Sequence, residues 1–399
     1  MSTDPVCELE ARLSRRVKQI KISATKEMPM IAAQVGGCVS LGQGIPSFKT
    51  PEHVVEAVAK ALREDASAGK YSLQPGMPAL RRAAAELLHR EKGLSADAER
   101  EVAITVGGME GLLCAMLTLI GPGDEVIVPE PFYPSHVEQV LMAEGTPVFA
   151  PLRREDWSLD PEAVAAAITP RTKAIIISSP HNPTGAVWAK ADLLQVAELA
   201  QRHNIFIICD DTYDALTYDG EAAFSLCSEP SLRHLLVGVF SFSKRFALTG
   251  WRVGFVWARE PLLNQMLKIH DAAAICAPTP AQVAALASLN GPQDVFRAMH
   301  AELEKRRNLI CARLSGMDSF RHVRPKGAFY VMAKADLPAG AVPDSRALAI
   351  RLIREAKVIT IPGGAFGPGG EGHVRLSFGG DEAEINEACD RLAAWSAAL

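Results

Sequence analysis

The chain has 399 residues with 42 basic and 46 acidic side chains, so its formal net charge is −4. Hydrophobic residues make up 48% of the chain and charged residues 22%, which excludes a mostly disordered protein. A chain of this length buries roughly three quarters of its unfolded surface and is expected to form two or three domains.

The composition also argues against several kinds of partner. A slightly acidic chain without long runs of lysine or arginine is not typical of a nucleic-acid binder. The longest strongly apolar stretch, Leu112–Ile120, is too short for a membrane span, which needs about 20 such residues. The ten histidines show no H-E-x-x-H or comparable spacing, so no metal site is expected.

The cysteines and the N-terminus favour a cytoplasmic protein. The eight cysteines are scattered and none forms C-x-x-C, so we expect them to be reduced and mostly buried. Residues 1–5 lack the basic and then apolar pattern of a secretion signal.

Helical and extended patterns alternate over the first part of the chain. Val54 and Val58 fall on one helical face, and Leu80 and Leu87 on another, with Arg81 expected to point to solvent. Between the helices lie short runs rich in β-branched residues: Val102–Val106, Glu125–Val128, Ala174–Ile177, Ile205–Cys209, Leu235–Phe240 and Val253–Trp257. The alternation predicts an α/β fold, with helices on both faces of a mainly parallel sheet in a three-layer αβα domain.

The C-terminal part follows a different order and predicts a smaller α+β domain. Helices are expected near Glu302–Leu314, Ser345–Glu355 and Ala383–Ala398, with strands at Ala328–Met332 and His373–Phe378. We therefore expect an N-terminal arm and the start of the small domain in residues 1–45, a large domain in 46–292, and the small domain in 293–399.

A polar or aromatic cluster follows each of five expected strands. In open α/β sheets, ligands bind beyond the carboxyl ends of the strands, so these clusters should converge on one crevice. They are Gly107–Glu110, Pro129–Tyr133, Ser178–Gly185, Asp210–Tyr213 and Ser241–Lys244.

Each candidate residue also has an ordinary structural reading. Gly107-Gly108 is either a plain strand-to-helix turn or an anion site at a helix start, and it matches neither G-x-G-x-x-G nor G-x-x-x-x-G-K-[ST]. Asp210 is either a cap or the partner of a ring nitrogen. Lys244 is either a solvated lysine or, beside apolar neighbours, a desolvated nucleophile. Arg252 and Arg375, each within apolar sequence, suit a structural ion pair or a bound anion.

Together these motifs resemble a known family. The run Ser241-x-Ser243-Lys244-x-Phe246-x-Leu248-x-Gly250-x-Arg252-x-Gly254 closely resembles the lysine motif of the class I/II aminotransferases, which are fold-type-I enzymes that use pyridoxal phosphate. Asn182-Pro183-Thr184-Gly185, Asp210-x-x-Tyr213 and Arg375 follow the family's order and about its spacing. The resemblance runs from near Leu41 to the C-terminus.

The resemblance implies how a pyridoxal phosphate cofactor is held. It implies that Lys244 forms a Schiff base with the cofactor and later carries a proton as acid and base, and that Asp210 pairs with the pyridine nitrogen. The remaining cofactor contacts that it implies are Tyr213 and Asn182 on the phenolic oxygen, Tyr133 stacked on the ring, and Gly107, Gly108, Met109, Ser241 and Arg252 around the phosphate.

The resemblance also implies substrate contacts and an assembly. Arg375 would grip the α-carboxylate of an amino acid or 2-oxo acid as a two-bond fork, with Gly44 and Asn182 touching the same group. Tyr71 would reach the phosphate of a neighbouring subunit, which implies a homodimer with shared active sites. The glycine-rich segment 362–370 is either a mobile loop near the substrate or a plain surface turn.

The sequence also departs from its relatives and leaves the substrate open. Met109 stands where some dicarboxylate-specific relatives have lysine, which favours neutral or aromatic amino acids over an aspartate-type preference. Asp211 replaces a common glutamate, and Arg245 replaces a common threonine with no evident effect. The rivals are an aspartate-type aminotransferase, a pyridoxal-phosphate carbon–sulfur β-lyase that would share Lys244, and an aminotransferase-like transcription regulator, for which too few residues precede the first motif.

Overall fold

The computed structural model describes residues 11–20, 23–337 and 342–398. Residues 1–5 and Cys7, which entered the expectations about secretion and redox state, lie outside the described residues. The seven cysteines within the described part are all free, and six of them are buried. In the same part of the chain, no helix combines the length and apolar character that crossing a bilayer requires.

The described chain begins with helices that lead to the first long strand. They are α1 (Arg15–Gln19), α2 (Ala24–Val35), α3 (Glu52–Glu64) and α4 (Pro78–Lys92), with the short strand β1 (Val39–Ser40) after α2. Arg81 does not point to solvent as expected. It is buried, and its Nε donates a hydrogen bond to the carbonyl of Ala98 at 2.9 Å, which compensates in part for the loss of solvent.

A large sheet forms the middle of the molecule. Its strands are β2 (Val102–Thr105), β3 (Glu125–Glu130), β4 (Thr146–Pro151), β5 (Thr172–Ile177), β6 (Phe206–Asp210), β7 (Leu236–Ser241) and β8 (Gly254–Ala258). Its helices are α5 (Gly107–Leu119), α6 (Pro134–Met142), α7 (Pro161–Ala167), α8 (Lys190–His203), α9 (Phe242–Arg245), α10 (Glu260–Ala274) and α11 (Thr279–Asn290).

The strand order within the described residues is β2-β8-β7-β6-β5-β3-β4, and only β8 runs antiparallel to its neighbours. The six predicted strands differ from the observed ones by at most two residues at either end. The seventh strand, β4, was missed because it lies at the sheet edge, is largely exposed and contains Pro147 and Pro151.

Helices cover both faces of this sheet, so the three-layer αβα architecture is confirmed. On one face, Leu112 of α5, Val140 of α6 and Leu263 of α10 pack against the sheet. On the other face, the packing comes from α4, α7, α8 and α11, for example through Leu193 and Ala284. Strands buried on both faces explain the unbroken apolar runs in the sequence.

The C-terminal part builds a second, smaller unit around an antiparallel sheet whose described strands lie in the order Ile361–Pro362, His373–Ser377, Tyr330–Ala335 and Phe320–His322. Its elements are α12 (Asp294–Ser315), β9 (Phe320–His322), β10 (Tyr330–Ala335), α13 (Ser345–Arg351), β11 (Val358–Ile359), β12 (Ile361–Pro362), β13 (His373–Ser377) and α14 (Glu382–Ala397). β1 pairs in parallel with β11, which joins the N-terminal segment to this unit. Domain boundaries near residues 45 and 293 stay a prediction.

Candidate active site

Polar side chains from both units line a cavity of about 270 Å³ at the carboxyl ends of the parallel strands. The residues assigned from the sequence that line it are Gly44, Gly108, Met109, Tyr133, Asn182, Asp210, Tyr213, Ser241, Lys244, Arg252 and Arg375. The two other assigned residues, Gly107 and Tyr71, are not among those that line the cavity, and Gly107 instead faces the Arg252 guanidinium. The predicted convergence of the strand-end clusters is therefore observed.

Lys244 enters the cavity from the short helix α9, which begins where β7 ends. The side chain of Ser241 caps this helix by accepting a hydrogen bond from the Ser243 N–H at 3.1 Å. The Lys244 Nζ donates to the carbonyl of Gly44 at 2.6 Å and lies 5.7 Å from the centre of the Phe329 ring. The amine is thus held at one point of the cavity by the loop that follows β1.

The surroundings of Lys244 favour the neutral amine. Burial, and then the positive charges of Arg252 and Arg375, lower the pKa of Lys244 to about 8. Asp210 acts in the opposite direction but does not cancel this effect. At pH 7 a pKa of about 8 leaves about a tenth of this lysine unprotonated, and this neutral amine is able to act as a nucleophile or a base.

Asp210 stands at the end of β6 and stays ionised. Burial alone would raise the pKa of this carboxyl, but the hydrogen bonds from His136 and Thr212 outweigh burial and lower the pKa. His136 Nε2 lies 2.9 Å from one carboxylate oxygen, and the Thr212 hydroxyl donates to the other at 2.6 Å. A fixed, buried carboxylate can hold a proton on a ring nitrogen placed opposite it.

The start of α5 forms a cradle for an anion. Gly107 has φ +72°, and a Cβ on it would lie 2.8 Å from the Arg252 guanidinium. A Cβ on Gly254 would lie 2.8 Å from the Gly108 nitrogen. The two glycines therefore let an arginine approach the free N–H groups of a helix start, where Ser241 and Ser243 add hydroxyls.

Arg375 projects from β13 into the other end of the cavity. Its Nη1 donates to Asn182 Oδ1 at 3.1 Å and its Nη2 to the Gly42 carbonyl at 2.8 Å. Its guanidinium carbon lies 4.3 Å from the centre of the Tyr330 ring and 4.9 Å from that of Phe366. Its buried Nε has no hydrogen-bond partner among the described residues. A buried cation with an unpaired donor is suited to a carboxylate.

Three further predicted residues surround the space between these two ends. Tyr133 lies edge-on to His136 with ring centres 5.4 Å apart, and its hydroxyl donates to the sulfur of Met109 at 3.7 Å. The hydroxyl of Tyr213 is 2.8 Å from that of Tyr330. Burial raises the pKa of Tyr213 well above its ordinary value, so this phenol stays protonated.

Several lining residues were missed from the sequence, and only some left a signal there. His136 does not line the cavity itself but contacts Asp210, and it lies on α6 three residues after Tyr133, which directly precedes this helix. Ser243 lies inside the recognised lysine motif, and Thr212 inside the Asp210–Tyr213 run. Tyr330 left no such signal, because its role depends on how β10 pairs with β13.

The structure also answers two questions that the sequence left open. Arg245 points away from the cavity and makes a forked ion pair with Glu91, which accounts for its place beside Lys244. In the glycine-rich segment, Phe366 is fully buried against Arg375, and its carbonyl accepts from the Phe132 N–H at 2.8 Å. The segment therefore packs against Arg375 beside the cavity and is not a plain surface turn.

A second polar cluster fixes the base of the anion cradle. Glu110 accepts hydrogen bonds from the Val106 N–H at 3.0 Å and from the Cys114 thiol at 2.9 Å, and it lies 2.8 Å from His270 Nδ1. These three side chains are close enough to share a cation. Their mutual hydrogen bonds already use the same atoms, so we assign the cluster a structural part in holding α5 against α10.

Comparison with known proteins identifies the family of this chain. The sequence profile of the family described as "Aminotransferase class I and II" matches residues 37–392. The aromatic-amino-acid aminotransferase 2 of Thermococcus litoralis is 36% identical over 383 residues, which are 95% of this chain and 97% of that protein.

Solved structures give the same result. The alanine aminotransferase from Pyrococcus furiosus has a TM-score of 0.91 at 30% identity, covering 97% of this chain and 100% of that one. The aspartate aminotransferase from Thermus thermophilus with maleate has a TM-score of 0.88 at 38% identity, covering 96% and 99%.

The fold and the matches define an enzyme that transfers amino groups, with the architecture of the fold-type-I aminotransferases. The chain belongs to the class I and II aminotransferase family. The carbon–sulfur lyase and the transcription regulator lose their support, because the relatives that match along nearly the whole chain are aminotransferases.

Proposed function

We propose that this aminotransferase uses pyridoxal phosphate and moves an amino group between an L-amino acid and a 2-oxo acid in a ping-pong cycle. The observation that carries the proposal is that Lys244, Asp210 and Arg375 line one cavity. Lys244 offers a partly neutral amine, Asp210 a buried carboxylate, and Arg375 a buried cation with an unpaired N–H donor among the described residues.

The donor set of the cavity fits this cofactor. The cradle of Gly108, Met109, Ser241 and Arg252 suits a phosphate, because free N–H groups, a hydroxyl and a cation meet there. Asp210 suits a protonated pyridine nitrogen, and the phenol of Tyr213 and the amide of Asn182 suit a phenolic oxygen. Tyr133 would lie against the ring. When bound, pyridoxal phosphate supplies an aldehyde that condenses with amines and a ring that accepts electrons.

Arg375 would then bind the substrate, and Lys244 would transfer its proton. Arg375 would bind the α-carboxylate with Nε and a neighbouring Nη, and charge-assisted hydrogen bonds of this kind are worth about 1.5–3 kcal/mol each. This fixes the α-carbon of the amino acid in the cavity. The Lys244 Nζ, in the neutral form that its surroundings make more abundant, would take the proton from that carbon and release it again later in the transfer.

Asp210 would keep its negative charge throughout the cycle. His136 and Thr212 together fix both carboxylate oxygens, so the group cannot turn away when charge moves in the cavity. The buried His181 is held neutral, because burial lowers its pKa to about 3. His181 therefore carries no positive charge that would compete with the ring nitrogen for Asp210.

For the substrate side chain, we propose a neutral or aromatic amino acid. Met109, Leu112 and Tyr133 make the part of the cavity wall that they form apolar. Among the described lining residues, the cations Lys244, Arg252 and Arg375 already have other parts. An aspartate preference is the second candidate, since relatives such as the aspartate aminotransferase of Pyrococcus abyssi, 35% identical over 383 residues, act on that substrate by name.

We further propose a cytoplasmic homodimer with shared sites. Tyr71 is 76% exposed and Leu73 63% exposed, and because both lie in one loop they offer an apolar surface that a partner subunit would cover. The loop that carries them is fixed from within, because Gln282 donates to the Ser72 hydroxyl at 2.8 Å and Thr279 to the Lys70 carbonyl at 2.6 Å. A fixed, exposed tyrosine is suited to entering a partner's cavity.

Two experiments test these proposals. Borohydride reduction of the cofactor-loaded enzyme should label Lys244, and a label at any other position would contradict the cofactor scheme. Spectral conversion of the bound cofactor by a panel of amino acids should favour neutral or aromatic donors. A clear preference for aspartate or glutamate would select the second candidate.

The catalytic part of Lys244 is tested by substitution. Lys244→Ala should keep the anion cradle and bind cofactor but lose transfer in single turnovers, whereas Lys60→Ala, on the exposed face of α3, should behave as wild type. Near-normal transfer by Lys244→Ala would contradict the assignment.

A further inference from the structure

Tyr330 lies at the junction between the two halves of the site. It begins β10, where it pairs with Ser377 of β13, and Met332 pairs with Arg375. Tyr330 and Arg375 are therefore diagonal neighbours on one face of the antiparallel sheet. This register places the buried Tyr330 ring 4.3 Å from the Arg375 guanidinium carbon.

The hydroxyl of the same side chain reaches the large sheet. It lies 2.8 Å from the hydroxyl of Tyr213, and within the described residues neither phenol has another hydrogen-bond partner. Gly44 closes over this contact, because a Cβ on it would overlap the Tyr330 hydroxyl. The carbonyl of Gly44 holds the Lys244 amine at 2.6 Å, so the tyrosine pair, the lysine and the arginine meet around one loop.

Two phenols that face only each other share one hydrogen bond, so one proton remains free to donate elsewhere. The charge of Arg375 beside the Tyr330 ring lowers the pKa of Tyr330 against the larger, raising effect of burial, and so strengthens Tyr330 as a donor. We therefore infer that the Tyr330 hydroxyl donates the hydrogen bond and that the Tyr213 hydroxyl accepts it. The O–H of Tyr213 is then free to point into the cavity.

The charged and titratable groups that face this pair come from several elements. They are Arg375 of β13, Tyr133 at the start of α6 and Lys244 of α9, which is held on the Gly44 carbonyl. Of these, only Arg375 lies against the Tyr330 ring. The charge of Arg375 lowers the pKa of both phenols, but its guanidinium lies against the Tyr330 ring, so a change in that charge acts mainly on Tyr330.

We propose that Tyr330 is a positioning residue that orients the Tyr213 hydroxyl and makes its donor strength depend on whether Arg375 holds a carboxylate. The inference rests on the proposed function, because the group that receives the Tyr213 hydrogen bond is the cofactor's phenolic oxygen. A carboxylate on Arg375 neutralises the guanidinium and weakens Tyr330 as a donor. Tyr213 then donates less strongly, and the acid form of the bound cofactor persists to higher pH.

The test is a pH titration of the cofactor's absorbance in the loaded enzyme, with and without maleate or 3-phenylpropionate as unreactive carboxylates. In wild type, the carboxylate should raise the midpoint. Tyr330→Phe keeps the ring on Arg375 and removes only the hydroxyl. We expect its midpoint without carboxylate to rise by roughly 0.5 pH units and the further rise with carboxylate to shrink.

Kinetics and a double-mutant cycle distinguish a positioning role of Tyr330 from a merely structural one. Tyr330→Phe should lower kcat and leave KM for the amino acid within about threefold, whereas Tyr330→Leu, which removes the ring from Arg375, should raise KM. Tyr213→Phe should also raise the midpoint, and adding Tyr330→Phe to it should change nothing further.

The possible failures are distinguishable. A wild-type enzyme that shows no titrating cofactor band, or that borohydride does not label at Lys244, would contradict the proposed function itself. A normal wild-type titration with the same midpoints in Tyr330→Phe, with and without carboxylate, would overturn the inference about Tyr330 alone. Additive shifts in the double variant would overturn it as well.

Discussion

Two buried lysines in this chain should differ sharply in reactivity. Lys244 has a pKa of about 8 because of burial and two nearby arginines. The side chain of Lys92 is only 8% exposed, but it lies 2.9 Å from Asp214 and 3.5 Å from Asp211. Burial alone would lower the pKa of Lys92, yet these two carboxylates outweigh burial and raise it. Burial therefore does not decide the charge state by itself.

The difference can be expressed as the fraction of neutral amine. At pH 7.5 a pKa of about 8 leaves about a quarter of Lys244 unprotonated, against about 0.1% for a lysine with its ordinary pKa of 10.5. Lys244 should thus present roughly 200-fold more neutral amine than an ordinary lysine, and it should react faster by less than that factor because a less basic amine is also a weaker nucleophile. Because its charged form is disfavoured, the rate should rise with pH through about 8 and then level off.

Competitive acetylation of the cofactor-free enzyme, read by mass spectrometry between pH 6 and 11, measures this directly. Arg252→Met should move the Lys244 midpoint upward, yet keep it below 10.5, because burial and Arg375 remain. Lys92 should stay unreactive over most of the range, and the exposed Lys60 provides the ordinary profile. A Lys244 midpoint near 10.5 would refute the electrostatic reasoning.

Two further predictions concern the ends of the cavity. Arg375→Leu removes a two-bond fork worth about 3 kcal/mol or more, so Kd for an unreactive carboxylate should rise at least about 100-fold. Arg321→Leu, on the same small sheet but exposed, should leave that Kd unchanged, and a change below threefold in Arg375→Leu would contradict its role. Gly254→Ala places a Cβ 2.6 Å from the Phe240 carbonyl and 2.8 Å from the Gly108 nitrogen, so pyridoxal phosphate should bind at least about tenfold more weakly. Gly250→Ala, with nothing within 4 Å of its Cβ, is the matched control, and equal affinities in the two variants would count against the cradle.

Much of the fold could be predicted because its strands are buried on both faces. Runs such as Ala174–Ile177 have no polar positions, and such runs are typical of a parallel sheet between helix layers. The edge strand β4 escaped because a strand with one exposed side and two prolines loses that pattern. Arg81 escaped because the carbonyl that pairs with it, Ala98, belongs to a loop whose position no periodicity reveals.

The candidate site could be predicted where one short segment carries several functional residues. Lys244 and Arg252 belong to a single motif, and Asp210 and Tyr213 to another. Tyr330 could not be found in this way, since its place beside Arg375, 45 residues further along the chain, depends on the register of two strands. Side chains that act across a strand pairing need the pairing to be known first.

The antiparallel strand β8 has a consequence for the length of the chain beside it. Because β7 arrives at the cavity edge and β8 leaves from that same edge, residues 242–253 form a closed link with both ends fixed in one sheet. Phe246 and Leu248 anchor the middle of this link in the core. A residue inserted into this link would change the distance between the amine of Lys244 and the guanidinium of Arg252. An added residue in the turn 121–124, at the opposite edge of the sheet, would leave that spacing unchanged.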